Sequence, residues 1–258
     1  MDKEVSIELD GTKVKVRCGI TVKKALEING YRISTYPQEG SLFAPCSRGG
    51  CWSCAVVING EIRPACITRV EDGLAVDTGL SEDYIPRRIV HGFSGHTVGG
   101  VGTPWWLKGG HTHIEAACFA AGCNLLCPQC QNWETTYKGE GKALSPREVA
   151  EIMTTTREGL GVDRMAISGG ECTLNRKWLV EYVRELKRFN SDPNARVHVD
   201  TNASILTRDY VEDLVEAGMT DIGIDLKGYY PETFMRITGI EDRGLAERYL
   251  NTAWDVAT

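Results

Sequence analysis

Three cysteines, Cys123, Cys127 and Cys130, follow one another with the spacing C-x3-C-x2-C. Three thiolates from one short loop can anchor a four-iron cubane and leave one iron without a protein ligand, whereas an electron carrier normally supplies all four. A metal position left open is a place for chemistry, as in catalytic zinc sites. Zinc itself is the competing reading of these thiols, with His111, His113 or Cys118 as a fourth ligand.

A second group, Cys46-x4-Cys51-x2-Cys54-x11-Cys66, follows the plant-type ferredoxin order. Its loop, Ser47-Arg48-Gly49-Gly50, is small enough for backbone amides to approach sulfur, and such bonds tune a cluster. A four-thiolate zinc site is the alternative here as well. Three polar tripeptides also stand out. Gly169-Gly170-Glu171 follows Ser168 and pairs bared backbone with a carboxylate suited to an ammonium group. Asp200-Thr201-Asn202 and Asp225-Leu226-Lys227 each close an apolar run; an Asx-type helix cap and a surface ion pair are their structural readings. Cys18 and Cys118 sit in strand patterns and read as core thiols, Cys172 reads as packing, and Trp178 as helix core. Trp52 shields the first loop or faces a partner. His111-x-His113 puts two imidazoles on one side of a strand, where they could pair on a metal.

The elements that must position these residues fall into two parts. Residues 3–9 and 12–18 alternate around Asp10-Gly11, a hairpin signal. Thr21 caps a helix running through Glu27 with Gly30 closing it, and strands are expected at 55–60 and 74–78. This gives a small β-rich domain over residues 1–80. Residues 81–110 read as an irregular connector anchored by Trp105 and Trp106. From 111 to 258, strands at 113–119, 164–168, 196–200 and 221–226 alternate with helices at 146–158, 176–188 and 208–217. Ser145-Pro-Arg-Glu148 is a capping box, and Gly218 ends the third helix. Such alternation predicts a parallel sheet, open or closed into part of a barrel. A further helical stretch, 245–257, ends the sequence, so four strands are expected here.

The chain of 258 residues has 42% hydrophobic and 25% charged residues, ordinary for a globular protein. A net charge of −6 excludes a general nucleic-acid binder, which needs a basic face. Ten cysteines with a polar, alternating start read as metal-binding thiols of a reducing cytoplasm, not as a secreted disulfide scaffold. The longest nearly apolar run, 116–127, is too short to cross a bilayer.

The cysteine triplet, with Gly169-Gly170-Glu171 one βα unit later, resembles the radical S-adenosylmethionine (SAM) superfamily. With Cys130-Gln-Asn-Trp133 and the two later tripeptides, it most resembles the pyruvate formate-lyase activating enzyme branch. The resemblance implies a partial (β/α) barrel and a [4Fe–4S] cluster on Cys123, Cys127 and Cys130. It also implies SAM held by Ser168, Gly169, Gly170, Glu171, Asp200, Thr201 and Asn202, with Asp225 and Lys227 as catalytic residues. A monovalent cation on Asp200, Thr201 and Asp225 comes with that branch. Two departures from its pattern are Gln129, where an aromatic residue usually packs on adenine, and a barrel that stops after four strands. Residues 3–80 resemble the β-grasp ferredoxin domain of succinate dehydrogenase and fumarate reductase iron–sulfur subunits, implying a [2Fe–2S] cluster on Cys46, Cys51, Cys54 and Cys66. The activity implied is reductive cleavage of SAM to a 5′-deoxyadenosyl radical for hydrogen abstraction. An activase or protein-modifying maturase with a built-in relay is expected, served by a ferredoxin- or flavodoxin-type donor. A radical enzyme acting on a small metabolite, or a two-cluster carrier that never cleaves SAM, is the alternative.

Overall fold

The computed structural model describes residues 3–37, 39–97 and 112–258. Trp105, Trp106 and His111, and with His111 the proposed histidine pair, lie outside these residues. The N-terminal part contains β1 (Glu4–Leu9), β2 (Thr12–Arg17), α1 (Val22–Ile28), β3 (Ile33–Ser34), β4 (Leu42–Phe43), β5 (Ala55–Ile58), β6 (Glu61–Pro64) and β7 (Ala75–Asp77). Asp10 and Gly11 join β1 to β2 with φ of 45° and 80°, the left-handed pair that matches strand twist in a tight hairpin. Five strands form a mixed sheet in the order β2-β1-β7-β5-β6, with β1 and β7 parallel. Thr21 caps α1 through Lys24 N at 3.2 Å. Val22, Ala25 and Leu26 of the helix pack with Val5, Ile7, Leu9, Val56 and Ile58 of the sheet in one buried cluster.

The remainder contains β8 (Arg88–Thr97), β9 (His113–Ala120), α2 (Trp133–Tyr137), β10 (Ala143–Leu144), α3 (Pro146–Leu160), β11 (Arg164–Gly169), α4 (Arg176–Phe189), β12 (Arg196–Thr201), α5 (Arg208–Ala217), β13 (Asp221–Ile224), α6 (Pro231–Thr238) and α7 (Arg243–Ala257). The six-stranded sheet runs β10-β8-β9-β11-β12-β13. Its β9, β11, β12 and β13 are parallel, as strand–helix alternation demands. The sheet is open among the described residues. Ala116, Cys118, Met165, Ile167, Val197 and Val199 bury one face against α3 and α4. The opposite face carries polar side chains: Arg164 pairs with Glu115 on β9 and reaches across β12 to Asp221 on β13, and the His198 ring lies within hydrogen-bond distance of Asp221.

Three expectations need correction. Residues 88–97, read as part of an irregular connector, form a ten-residue strand antiparallel to β9. Its Gly92 and Gly95 hide the pattern, yet a side chain at either would strike Phe119 or His113 on the neighbouring strand. Cys18 is exposed rather than core, because it falls just beyond β2. Residues 231–238 add a helix that the alternation did not announce.

Candidate functional site

The C-terminal ends of the parallel strands and the loops after them converge on a cavity of about 360 Å3. Cys123, Cys127, Gln129, Cys130, Ser168, Gly169, Gly170, Asp200, Thr201, Asn202, Asp225 and Lys227 all line it. No other cysteine and no histidine does so among the described residues. Cys118, one alternative fourth ligand, instead lies buried in the core, with its Sγ 3.6 Å from the Tyr182 hydroxyl. Among the described residues no three His, Cys, Asp or Glu side chains gather around one point to hold a single ion.

The cysteine loop is held from several sides. Leu126 N donates to Thr238 O at 2.7 Å, so the end of α6 braces it. Tyr137, at the end of α2, donates its hydroxyl to Cys127 O at 3.3 Å. Leu125 N points at Cys123 Sγ (3.4 Å), and Asn202 Nδ2 lies 3.6 Å from the same sulfur. Burial pushes the Cys123 thiol up, and the Glu171 charge adds to the shift. Burial likewise raises Cys127, opposed by Lys227. Thiols in this setting ionise when a metal compensates the thiolate.

Gly169 and Gly170 present backbone to the cavity for a steric reason. At Gly169 the φ is 120°, and a Cβ would sit 2.4 Å from Ala120 N; at Gly170 it would sit 2.4 Å from Gly122 O. Asn132, between the cysteine loop and α2, donates its amide to Gly169 O at 3.2 Å. Glu171 lies elsewhere. It is 1% exposed and absent from the cavity wall. Its Oε1 accepts from Thr173 N (3.0 Å), Thr173 Oγ1 (2.6 Å) and Thr201 Oγ1 (2.6 Å), and its Oε2 from Asn202 N (2.7 Å). The carboxylate therefore shapes the turn after β12, and the glycine backbone is what faces a ligand. Ser168 Oγ donates to Asp200 Oδ2 at 3.0 Å, Asp225 pairs with Lys227, and Gln129 Nε2 reaches Ile237 O at 3.3 Å. This wall combines carboxylates, amides, bare backbone and one ammonium, suited to a zwitterion bearing hydroxyls.

Cys46, Cys51, Cys54 and Cys66 are all buried, with the Cys46 and Cys51 sulfurs 3.1 Å apart. Hydrogen bonds from Cys51 and Cys66 draw the Cys46 thiol well down, and the same contact pushes Cys51 up. The donor set is all thiol and can neutralise a cluster's iron. Gly50 and Gly122 bring this loop against the first. A Cβ on Gly50 would lie 2.6 Å from Ala121 C, and one on Gly122 would lie 3.1 Å from Cys46 Sγ. Ser53 Oγ donates to Leu174 O at 2.6 Å, and Asn175 Nδ2 donates to Cys51 O at 3.0 Å. Trp52, half-buried, packs beside Ile89, Ala121 and Ala143 at this seam. Cys172 is buried packing, its thiol 3.3 Å from Asp200 O, and Trp178 is fully buried.

Sequence reasoning missed Asn132, Tyr137 and Thr136 in the cavity wall. Asn132 just before the short α2 and Thr136 within it, four residues apart, were the available signal.

Comparison with known proteins agrees with this arrangement. Residues 118–253 match the family model described as the radical SAM superfamily. Residues 2–79 match a 2Fe-2S iron-sulfur cluster binding domain. The GTP 3',8-cyclase of Alkaliphilus oremlandii is 32% identical over 116 residues, covering 45% of this chain and 35% of the relative. The PqqA peptide cyclase of Bradyrhizobium diazoefficiens is 32% identical over 117 residues, 45% of this chain and 29% of the relative. An AdoMet-dependent heme synthase of Methanosarcina barkeri is 31% identical over 129 residues, 49% of this chain and 35% of the relative. The chain thus spans about a third of the length of these curated relatives, which are cyclases and a synthase and do not single out the activating-enzyme branch. The two family models bring a [4Fe–4S] cluster, SAM and a [2Fe–2S] cluster, and the three-cysteine cavity and the four-cysteine loop fit them. By sequence and by the cavity at its strand ends, this chain belongs to the radical SAM superfamily.

Proposed function

We propose that the chain is a radical SAM enzyme that removes hydrogen from a C–H bond of its substrate and takes its electron through its own [2Fe–2S] domain. One observation carries this reading: three cysteines share a cavity wall with the bared Gly169-Gly170 backbone and the polar ends of β12 and β13. When bound, the cofactors supply one-electron cleavage of a carbon–sulfur bond and a carbon radical for hydrogen abstraction.

Cys123, Cys127 and Cys130 would hold the open-corner cluster. The backbone of Gly169 and Gly170 would receive the methionyl ammonium. Asp200 and Asn202 would contact ribose hydroxyls or the methionyl carboxylate, and Gln129 would offer an amide where the activating-enzyme branch has a ring. Asp225 and Lys227 would orient the substrate at the cavity rim. Since the Thr201 hydroxyl is engaged with Glu171, Asp200 and Asp225 are the carboxylates for a monovalent cation. No helix among the described residues is long and apolar enough to cross a membrane. A cytoplasmic enzyme served by a ferredoxin- or flavodoxin-type donor is consistent with this.

The tripeptides ending β12 and β13 favour an activase or a protein-modifying maturase. The matched cyclases and the heme synthase favour radical chemistry on a smaller metabolite. Anaerobic reconstitution followed by dithionite and SAM tests the shared core of both. Release of 5′-deoxyadenosine is expected. Full cluster content without that product would instead fit a two-cluster carrier. For the relay, Cys51→Ser with Cys54→Ser should slow reduction of the remaining cluster by a protein donor; an unchanged rate would sink that role.

A further inference from the structure

Arg88 begins β8, is 0% exposed and has no carboxylate partner among the described residues. Its Nη1 donates to Cys172 O at 2.5 Å, and its Nη2 to Glu171 O at 3.1 Å and Ala121 O at 3.2 Å. Its Nε has no partner. The guanidinium lies 5.4 Å over the Trp178 ring. The nearby Glu171 cannot serve as counter-ion in contact, since four donors from Thr173, Thr201 and Asn202 surround its carboxylate. A fully buried cation held only by carbonyls is costly unless negative charge lies close by.

Backbone contacts tie Arg88 to both cysteine loops. Ala121 starts the loop of Cys123, and Arg88 grips its carbonyl. On either side of Arg88, the chain holds the other cysteine loop. Ile89 N donates to Gly50 O at 3.0 Å, and Asn175 Nδ2 joins Arg87 O to Cys51 O. Arg88 thus stands where the two cysteine loops meet, and both loops become anionic once thiolates bind iron. We propose that Arg88 is the shared buried counter-cation of the two clusters, holding both at a higher reduction potential than they would have without it. Charge and hydrogen bonding around a cluster are what set its potential. The proposal rests on both clusters being present.

The test is a redox titration of both clusters in the anaerobically reconstituted full chain, followed by electron paramagnetic resonance, with iron and sulfide content measured alongside. Arg88→Gln should move both midpoints to more negative potential at full cluster content, and Arg88→Lys, which keeps the charge, should stay near the parent. Loss of clusters from Arg88→Gln alone, with Arg88→Lys intact, also supports a required charge. Unmoved potentials in Arg88→Gln would overturn the proposal. So would equal shifts in both variants, or equal loss of clusters from both, since either marks a packing role. A parent protein that takes up only one cluster would overturn the two-cluster premise instead, and iron content would reveal it before any variant is made.

Discussion

Replacing Glu171 by Gln tests whether this carboxylate is a buried organiser. In the structure its two oxygens receive four donors from Thr173, Thr201 and Asn202. Glutamine keeps one acceptor and turns the other into a donor. If its oxygen stays with the threonines, its amide faces Asn202 N at the present 2.7 Å contact, and neither donor is satisfied. A hydrogen bond to a charged group contributes about 1.5–3 kcal/mol, and an unsatisfied buried donor costs about 1–3 kcal/mol. Together these predict a loss of about 2.5–6 kcal/mol. At about 2–4 °C per kcal/mol for a chain of this size, the expected drop in Tm is at least about 5 °C. Thermal unfolding followed by circular dichroism under argon reads it. The loosened Asn202 should also change the spectrum of the cluster on Cys123, whose sulfur its amide approaches. A Tm within about 2 °C of the parent would refute the reasoning. It would mean that the carboxylate points into the cavity, where an amide could replace it cheaply.

Other predictions follow from single contacts. Gly170→Ala would drive a methyl into the Gly122 carbonyl, with backbone on both sides and nowhere to move; a loss of about 1–3 kcal/mol and weakened SAM binding by equilibrium dialysis are expected. Ser145→Ala removes one half of the capping box on α3 and should cost about 1 kcal/mol, read as a lower urea midpoint at neutral pH. His96 is held above its usual range, first by its hydrogen bond with Glu115. Burial pushes Glu115 up, but His96 and Arg164 hold it net below its usual range. The histidine contribution is complete below a pH of about 6.5 and fades as pH rises through the raised value, while the glutamate contribution fades as pH falls below about 4.3. His96→Gln should therefore flatten the decline in urea midpoint between pH 6 and 8.5; parallel curves for parent and variant would count against the pair.

How much of this was legible in the sequence depends on what each residue had to reveal. The hairpin at Asp10-Gly11, the cap at Thr21 and the box at Ser145 are local signals, and the backbone follows them. The parallel strands were legible because their buried residues alternate regularly with helical segments. β8 was not, because Gly92 and Gly95 serve close packing against β9, a tertiary demand with no local period. Arg88 reads as one more loop arginine after Pro86, and only the fold shows it enclosed by three carbonyls. Glu171 reads as a ligand to a cation, yet long-range contacts with Thr201 and Asn202 turn it inward. The cavity residues carried by short motifs were the legible ones. Those brought by α2 and α6 were not, since their place depends on how the chain returns.

The apolar cluster beneath the two cysteine loops takes Cys46 and Cys51 from one side and Cys123, Leu125, Leu174, Ile205, Phe234 and Tyr249 from the other. Across the same boundary Tyr36 Oη meets Thr252 Oγ1 at 2.7 Å, and Tyr249 donates to Thr35 O. Severing the chain near residue 80 would thus leave two wet wounds rather than two modules. Calorimetry of the intact chain should record one cooperative melt, and a protease that nicks the N-terminal sheet should release no surviving C-terminal fragment.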